Sequence, residues 1–140
     1  MKILLAVDGS PYTKKMLAYL VTHPELFGQS SQFTAFNAQT ALPPRAKAAL
    51  GSEEVAKYHA EEAEKVLKPV VKFLAQKGID ATSAYKVGST ADVISKAVST
   101  GKFDLVVMGS HGHNALAKLV VGSVTTQVLA KSEVPVLVVR

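Results

Sequence analysis

The chain has 140 residues, 48% hydrophobic and 19% charged, with 16 basic against 11 acidic side chains for a formal net charge of +5 and no cysteine. That length suits one domain over residues 1–140, and the composition lies far from the low-hydrophobicity, high-charge range in which chains stay disordered. Without cysteine there is no disulfide framework, thiolate metal site or thiol nucleophile; no apolar run reaches the roughly 18 residues that span a bilayer, and the scattered lysines form no basic stripe interleaved with aromatics, which argues against membrane and nucleic-acid partners.

The first run, KILLAV at 2 to 7, is nearly continuously apolar, as a strand covered on both faces must be. It meets Asp8 before a secretory leader could form, so the protein is expected to be cytoplasmic. Ser10 and Pro11 read as an N-cap and a first helical residue, because a serine hydroxyl accepts from an orphan amide and proline has none to orphan. That helix is expected to run to about Leu26. FTAFNA at 33 to 38 is the second strand, and ALPPRAKAALGS at 41 to 52, with its two prolines, reads as a long loop. From Glu53 to Gln76 the apolar residues Val55, Tyr58, Ala63, Val66, Leu67, Val70, Val71 and Leu74 recur at threes and fours, the mark of an amphipathic helix. Pro69 should kink it and Gly78 should cap it. ATSAYKV at 81 to 87 is a third strand, followed by a helix opening at Ser89 or Thr90. FDLVVM at 103 to 108 is a fourth, followed by a helix opening at Ser123. PVLVV at 135 to 139 is the last, and Pro135 marks it as an edge strand because proline cannot donate to a central ladder.

Strands alternating with helices imply a parallel α/β sheet. Two of its strands end alike, in LLAVDGS and in LVVMGS, and doubly wound sheets bind ligands outside the carboxyl ends of strands, so these two exits are where a site is expected. Beyond the second exit, Gly109 and Gly112 are separated by two residues and Gly112 and Gly122 by nine. Glycine permits positive φ and close approach, and amides of such a turn and of a following helix N-terminus can converge on phosphate oxygens. Ser123 can cap that helix or bond a phosphate. Neither a Walker A loop nor a three-glycine Rossmann fingerprint is present, and loops between strands and helices carry glycines in any case, so spacing alone leaves a plain loop open. Asp8 is either a ligand-facing carboxylate or the turn-former of VDGS. His111 and His113 flank Gly112; they either meet a metal or phosphate or are solvent-facing loop residues, as is Lys118. Ser10, Ser110 and Ser123 belong to no evident Ser/His/Asp arrangement, since neighbours such as Ser110 and His111 rarely converge within a turn.

The segment MGSHGHNALAKLVVGSVTTQVLAKSEVPVLVV, with its Gly109, Gly112 and Gly122-Ser123 spacing, resembles the ATP-binding signature and C-terminal third of the universal stress protein family, and KILLAVDGSPYTKKML resembles that family's first strand and helix. The resemblance implies a three-layer, doubly wound, flavodoxin-like sheet of five parallel strands in the order 3-2-1-4-5. It implies an ATP site formed by Ala6, Val7, Asp8 and Gly9, by Ala38 and Gln39 facing adenine, by Met108, Gly109, Ser110, His111 and Gly112, and by Gly122, Ser123, Val124 and Thr125. Asp8 would approach the ribose or a phosphate-bound Mg²⁺. It further implies a homodimer paired through the last strand, residues 134–140. Three functions stay open at this point: an ATP-binding stress regulator or sensor with little or slow hydrolysis, a dimeric interaction module without nucleotide, and an ATP-using enzyme.

Overall fold

The computed structural model describes residues 1–113, 118 and 120–140; residues 114–117 and 119, within the glycine-spaced segment, lie outside the described residues. The strands are β1 (Lys2–Ala6), β2 (Gln32–Gln39), β3 (Ala81–Val87), β4 (Leu105–Gly109) and β5 (Val136–Val139), and the helices are α1 (Pro11–Thr22), α2 (Pro44–Leu50), α3 (Ser52–Gln76), α4 (Thr90–Thr100) and α5 (Ser123–Lys131). The five strands form one sheet in the order β3-β2-β1-β4-β5, every pair parallel, the order that the family resemblance implies.

Alternation along β1 explains the three layers. Ile3, Leu5 and Val7 point to one face and pack with Met16, Leu17 and Leu20 of α1 and Ala63, Leu67, Val70 and Leu74 of α3. Leu4 points to the other face, where Phe36, Val106 and Met108 meet Ala91, Ile94 and Val98 of α4 and Val128 of α5. Strand β1 is central, with Ile3 in register with Phe33 on one side and Leu105 on the other. Its Ile3, Leu4 and Leu5 are fully buried, each worth about 1.5–3 kcal/mol relative to exposure.

Several local expectations are corrected. Helix α1 stops at Thr22, and Pro24–Leu26 forms a separate 3₁₀ turn, because Pro24 cannot continue the α-helical ladder. The 41 to 52 segment is no loop throughout: Pro43 and Pro44 occupy the N-cap and first position of α2, whose Ala- and Lys-rich body favours helix, and Gly51 at φ 82 separates it from α3. Pro69 lies inside α3, on its exposed side, without ending it, in keeping with the single helix expected from Glu53 to Gln76. Gly122, with extended backbone, is the N-cap of α5, so Ser123 is its first helical residue.

Candidate functional site

A cavity of about 680 Å³ opens at the carboxyl ends of β1, β2 and β4, within the ~300–1,000 Å³ common for small-molecule sites. It straddles the β1/β4 boundary, where the strand order reverses and the loops after the two strands diverge to opposite faces.

The exit of β1 is a tight, hydrogen-bonded turn. Gly9 takes φ 77, a conformation costly for a side chain bearing Cβ. This lets Asp8 fold back so that Oδ1 accepts from Ser10 N at 2.9 Å and from Thr13 Oγ1 at 2.9 Å, while Thr13 Oγ1 accepts from Asp8 N at 3.1 Å. Ser10 caps α1 by accepting from Thr13 N at 3.4 Å. The turn role of Asp8 is therefore real. Its Oδ2 remains, 2.9 Å from where a Cβ on Gly112 would stand.

The exit of β4 is tied down as well. Ser110 N donates to Val139 O at 2.8 Å and Gly122 N donates to Ser110 O at 2.7 Å, which brings the start of α5 against the end of β4. Thr125 Oγ1 donates to Gly109 O at 3.0 Å and secures the same junction. Ser110 Oγ lies 2.8 Å from His111 Nδ1, so these neighbours do converge, contrary to expectation, although Ser110 is only 1% exposed. The His111 ring sits 4.8 Å from that of Tyr12. His113 Nε2 approaches Asp8 O at 2.6 Å and must be the donor there, because a carbonyl only accepts.

None of Gly109, Gly112 and Gly122 uses positive φ. Their reason is space: a Cβ on Gly109 would meet Tyr12 Cβ at 2.8 Å, and one on Gly122 would meet His111 Cα at 3.2 Å. Helix α5 has no side-chain hydrogen bond at its N-cap, so the amides of its first turn face the cavity mouth with the positive end of the helix dipole.

The third wall comes from β2 and α3. Buried Asn37 donates through Nδ2 to Val7 O at 2.8 Å, and Gln39 Nε2 donates to Asn37 Oδ1 at 2.6 Å. Tyr58, Glu62 and Val66 of α3 also line the cavity. Glu62 pairs with Lys65 at 2.8 Å, and that hydrogen bond chiefly raises the Lys65 ammonium above its ordinary value.

Of the residues expected from sequence, Ala6, Val7, Asp8, Ala38, Gln39, Met108, Gly109, His111, Gly112, Gly122, Ser123, Val124 and Thr125 line the cavity, and Gly9 and Ser110 do not. Sequence reasoning missed Thr13, Asn37, Tyr58 and Glu62. The signal for Asn37 was a polar residue inside an apolar strand. Tyr58 was counted in the apolar stripe but is exposed and lines the cavity, Val66 both packs on the core and lines the cavity, and the fully buried stripe of α3 is His59, Ala63, Leu67, Val70 and Leu74. Among the described residues, no three His, Cys, Asp or Glu side chains gather as a metal cage.

The whole chain, residues 1–140, matches the model of the universal stress protein family. A universal stress protein of Synechocystis sp. is 32% identical over 99% of the chain, which spans 42% of that relative's length. One from Thermus aquaticus is 34% identical over 99% of the chain and 97% of its own length. The solved structure of a Methanocaldococcus jannaschii universal stress protein superposes with a TM-score of 0.81 at 27% identity, covering 99% of this chain and 94% of that one. The Archaeoglobus fulgidus universal stress protein in complex with dAMP shares the fold at a TM-score of 0.72 and 18% identity, covering 100% and 98% of the two chains.

Proposed function

The chain belongs to the universal stress protein family, and from that premise we propose that it binds an adenine nucleotide, ATP with Mg²⁺, in the cavity at the β1/β4 boundary and acts as a stress-response regulator or sensor with little or slow hydrolysis. The observation that carries this reading is the continuity of the cavity. One wall is the uncapped start of α5 beside Gly109, Gly112 and Gly122, suited to phosphate; the opposite wall is the polar end of β2, suited to a base. A fold neighbour from Archaeoglobus fulgidus is complexed with dAMP.

Asp8 fits a role toward the metal. Its Oδ1 is committed to the turn, and Oδ2 is left as a hard oxygen donor at the cavity wall; Mg²⁺ commonly takes one or two carboxylates and completes its shell with phosphate and water. When bound, the ion would neutralise phosphate charge. Slow hydrolysis fits the state of the two carboxylates that line the cavity: Asp8 holds the turn through Oδ1 and in this reading gives Oδ2 to the metal, and Glu62 is paired with Lys65, which leaves neither carboxylate for general-base work. In this reading the protein is cytoplasmic and dimerises through β5.

Calorimetry with ATP, with and without Mg²⁺, tests the reading. Saturable heat that strengthens with the metal is expected. No binding of ATP or AMP would select the alternative, a dimeric interaction module, for which the packing reasons of Gly109 and Gly122 would then be sufficient.

A further inference from the structure

From the hydrogen-bond relay at the end of β2, we propose that Gln39 reads the 6-position of the purine, accepting from a 6-amino group and rejecting a 6-oxo group, with Asn37 as the positioning residue that sets its polarity. The proposal rests on the nucleotide site described above.

The polarity follows from chemistry. Val7 O belongs to the backbone of the chain leaving β1 and can only accept, so Asn37 must turn its Nδ2 toward it, at 2.8 Å. That leaves Asn37 Oδ1 facing Gln39, where it requires a donor, and Gln39 Nε2 supplies one at 2.6 Å. Gln39 Oε1 is therefore the outward acceptor, without a partner among the described residues, on a half-buried side chain that lines the cavity. Flipping the Gln39 amide would set Oε1 against Asn37 Oδ1, and flipping Asn37 to compensate would set its oxygen against Val7 O. Either change places two acceptors in contact where Asn37 is 3% exposed and water cannot intervene. The main chain is held too, since Gly88 N donates to Gln39 O at 2.9 Å.

The relay stands at the right distance from the phosphate wall. Strands β2 and β4 flank β1, so their ends lie roughly 10 Å apart, two interstrand spacings. A nucleotide with its phosphate at α5 thus extends its base toward β2. A glutamine amide pairs with adenine by accepting from N6–H and donating its remaining N–H to a ring nitrogen, an arrangement worth a factor of about ten or more against the wrong base. Inosine monophosphate (IMP) retains the ring, ribose and phosphate but presents O6 to Oε1, oxygen to oxygen.

The experiment is calorimetric titration of the full chain with AMP, IMP and ribose 5-phosphate, for the parent, Gln39→Met and Gln39→Arg. The parent should prefer AMP over IMP by about tenfold or more. Gln39→Met, which keeps the side-chain length but no polar atom, should bring the two affinities to within about threefold while ribose 5-phosphate binds unchanged. Gln39→Arg, a donor to O6 and N7, should reverse the order. A parent that binds both nucleotides equally, or a Gln39→Met protein that keeps the preference, overturns the base reading and leaves the nucleotide site standing. A parent that binds none of the three ligands overturns the site, and this proposal with it. If Gln39→Met loses ribose 5-phosphate as well, its loss is structural and Gln39→Arg decides: retention of the AMP preference there overturns the proposal, and reversal supports it.

Discussion

Gly112 and Asp8 constrain one another through space. A Cβ at position 112 would stand 2.9 Å from Asp8 Oδ2, and a valine would add two methyl groups beside the oxygen left for a metal. Gly112→Val should therefore weaken ATP binding by roughly tenfold or more, with the circular dichroism unchanged because the backbone there needs no positive φ. Undiminished affinity in a folded variant would remove Gly112 from the site. Asp8→Asn separates the two duties of that side chain. Asparagine keeps an Oδ1 acceptor for Ser10 N and Thr13 Oγ1 but loses the charge, so the turn should survive while the gain in affinity from Mg²⁺ shrinks. Equal losses with and without Mg²⁺ would reduce Asp8 to a turn-former.

At the scale of elements, α3 presents two faces with different work. One seals the core, and an adjoining one carries Tyr58, Glu62 and Val66 to the cavity. His59 lies on the sealing stripe, 3% exposed, and neither ring nitrogen has a hydrogen-bond partner among the described residues. Burying an unpaired polar group costs more than burying an apolar one. His59→Leu should accordingly stabilise the protein by about 1 kcal/mol in urea unfolding, and a comparable destabilisation would show that the imidazole is satisfied in solution. Strand β5 divides its hydrogen-bonding groups similarly. Val106 N donates to Pro135 O and Ser110 N donates to Val139 O. By the alternation of a strand, Pro135, Leu137 and Val139 turn their backbone groups toward β4, and Val136 and Val138 turn theirs outward. Leu137 also packs its side chain on the protein's own core, so a charge placed there would damage the monomer before it tested an interface.

The whole molecule is a sheet with two open edges, β3 and β5. Natural proteins cover or pair an apolar edge such as β5, and a second copy related by a twofold axis is the simplest cover. Val138→Pro is the selective probe, since it deletes one outward amide and leaves the β4 ladder intact. Sedimentation should show a dimer for the parent at micromolar concentration and a monomer for the variant, with similar circular dichroism. A monomeric parent would sink the proposed dimer. Among the described residues, no helix is long and apolar enough to cross a membrane.

How much of this was legible in the chain depends on the range of the interaction concerned. Periodicity and caps are local, so the five strands, the Ser10 cap and the Ser52–Gln76 helix could be read from residues that touch neighbours in sequence. The sheet order was available only through the resemblance carried by the glycine-spaced segment, and the parallel registers confirm it. The 41 to 52 segment was misjudged because its prolines were counted as breakers, whereas at the first position of a helix proline orphans no amide. The glycines were found by their spacing, but none takes the positive φ that glycine allows, and the atoms that exclude a Cβ at Gly109 belong to Tyr12, nearly a hundred residues away. Tertiary structure alone placed Tyr58 and Glu62 beside β2 and joined Val7, Asn37 and Gln39 into a relay. Those contacts link separate elements, and a hydrogen bond between groups far apart in sequence leaves no periodic mark in the chain that forms it.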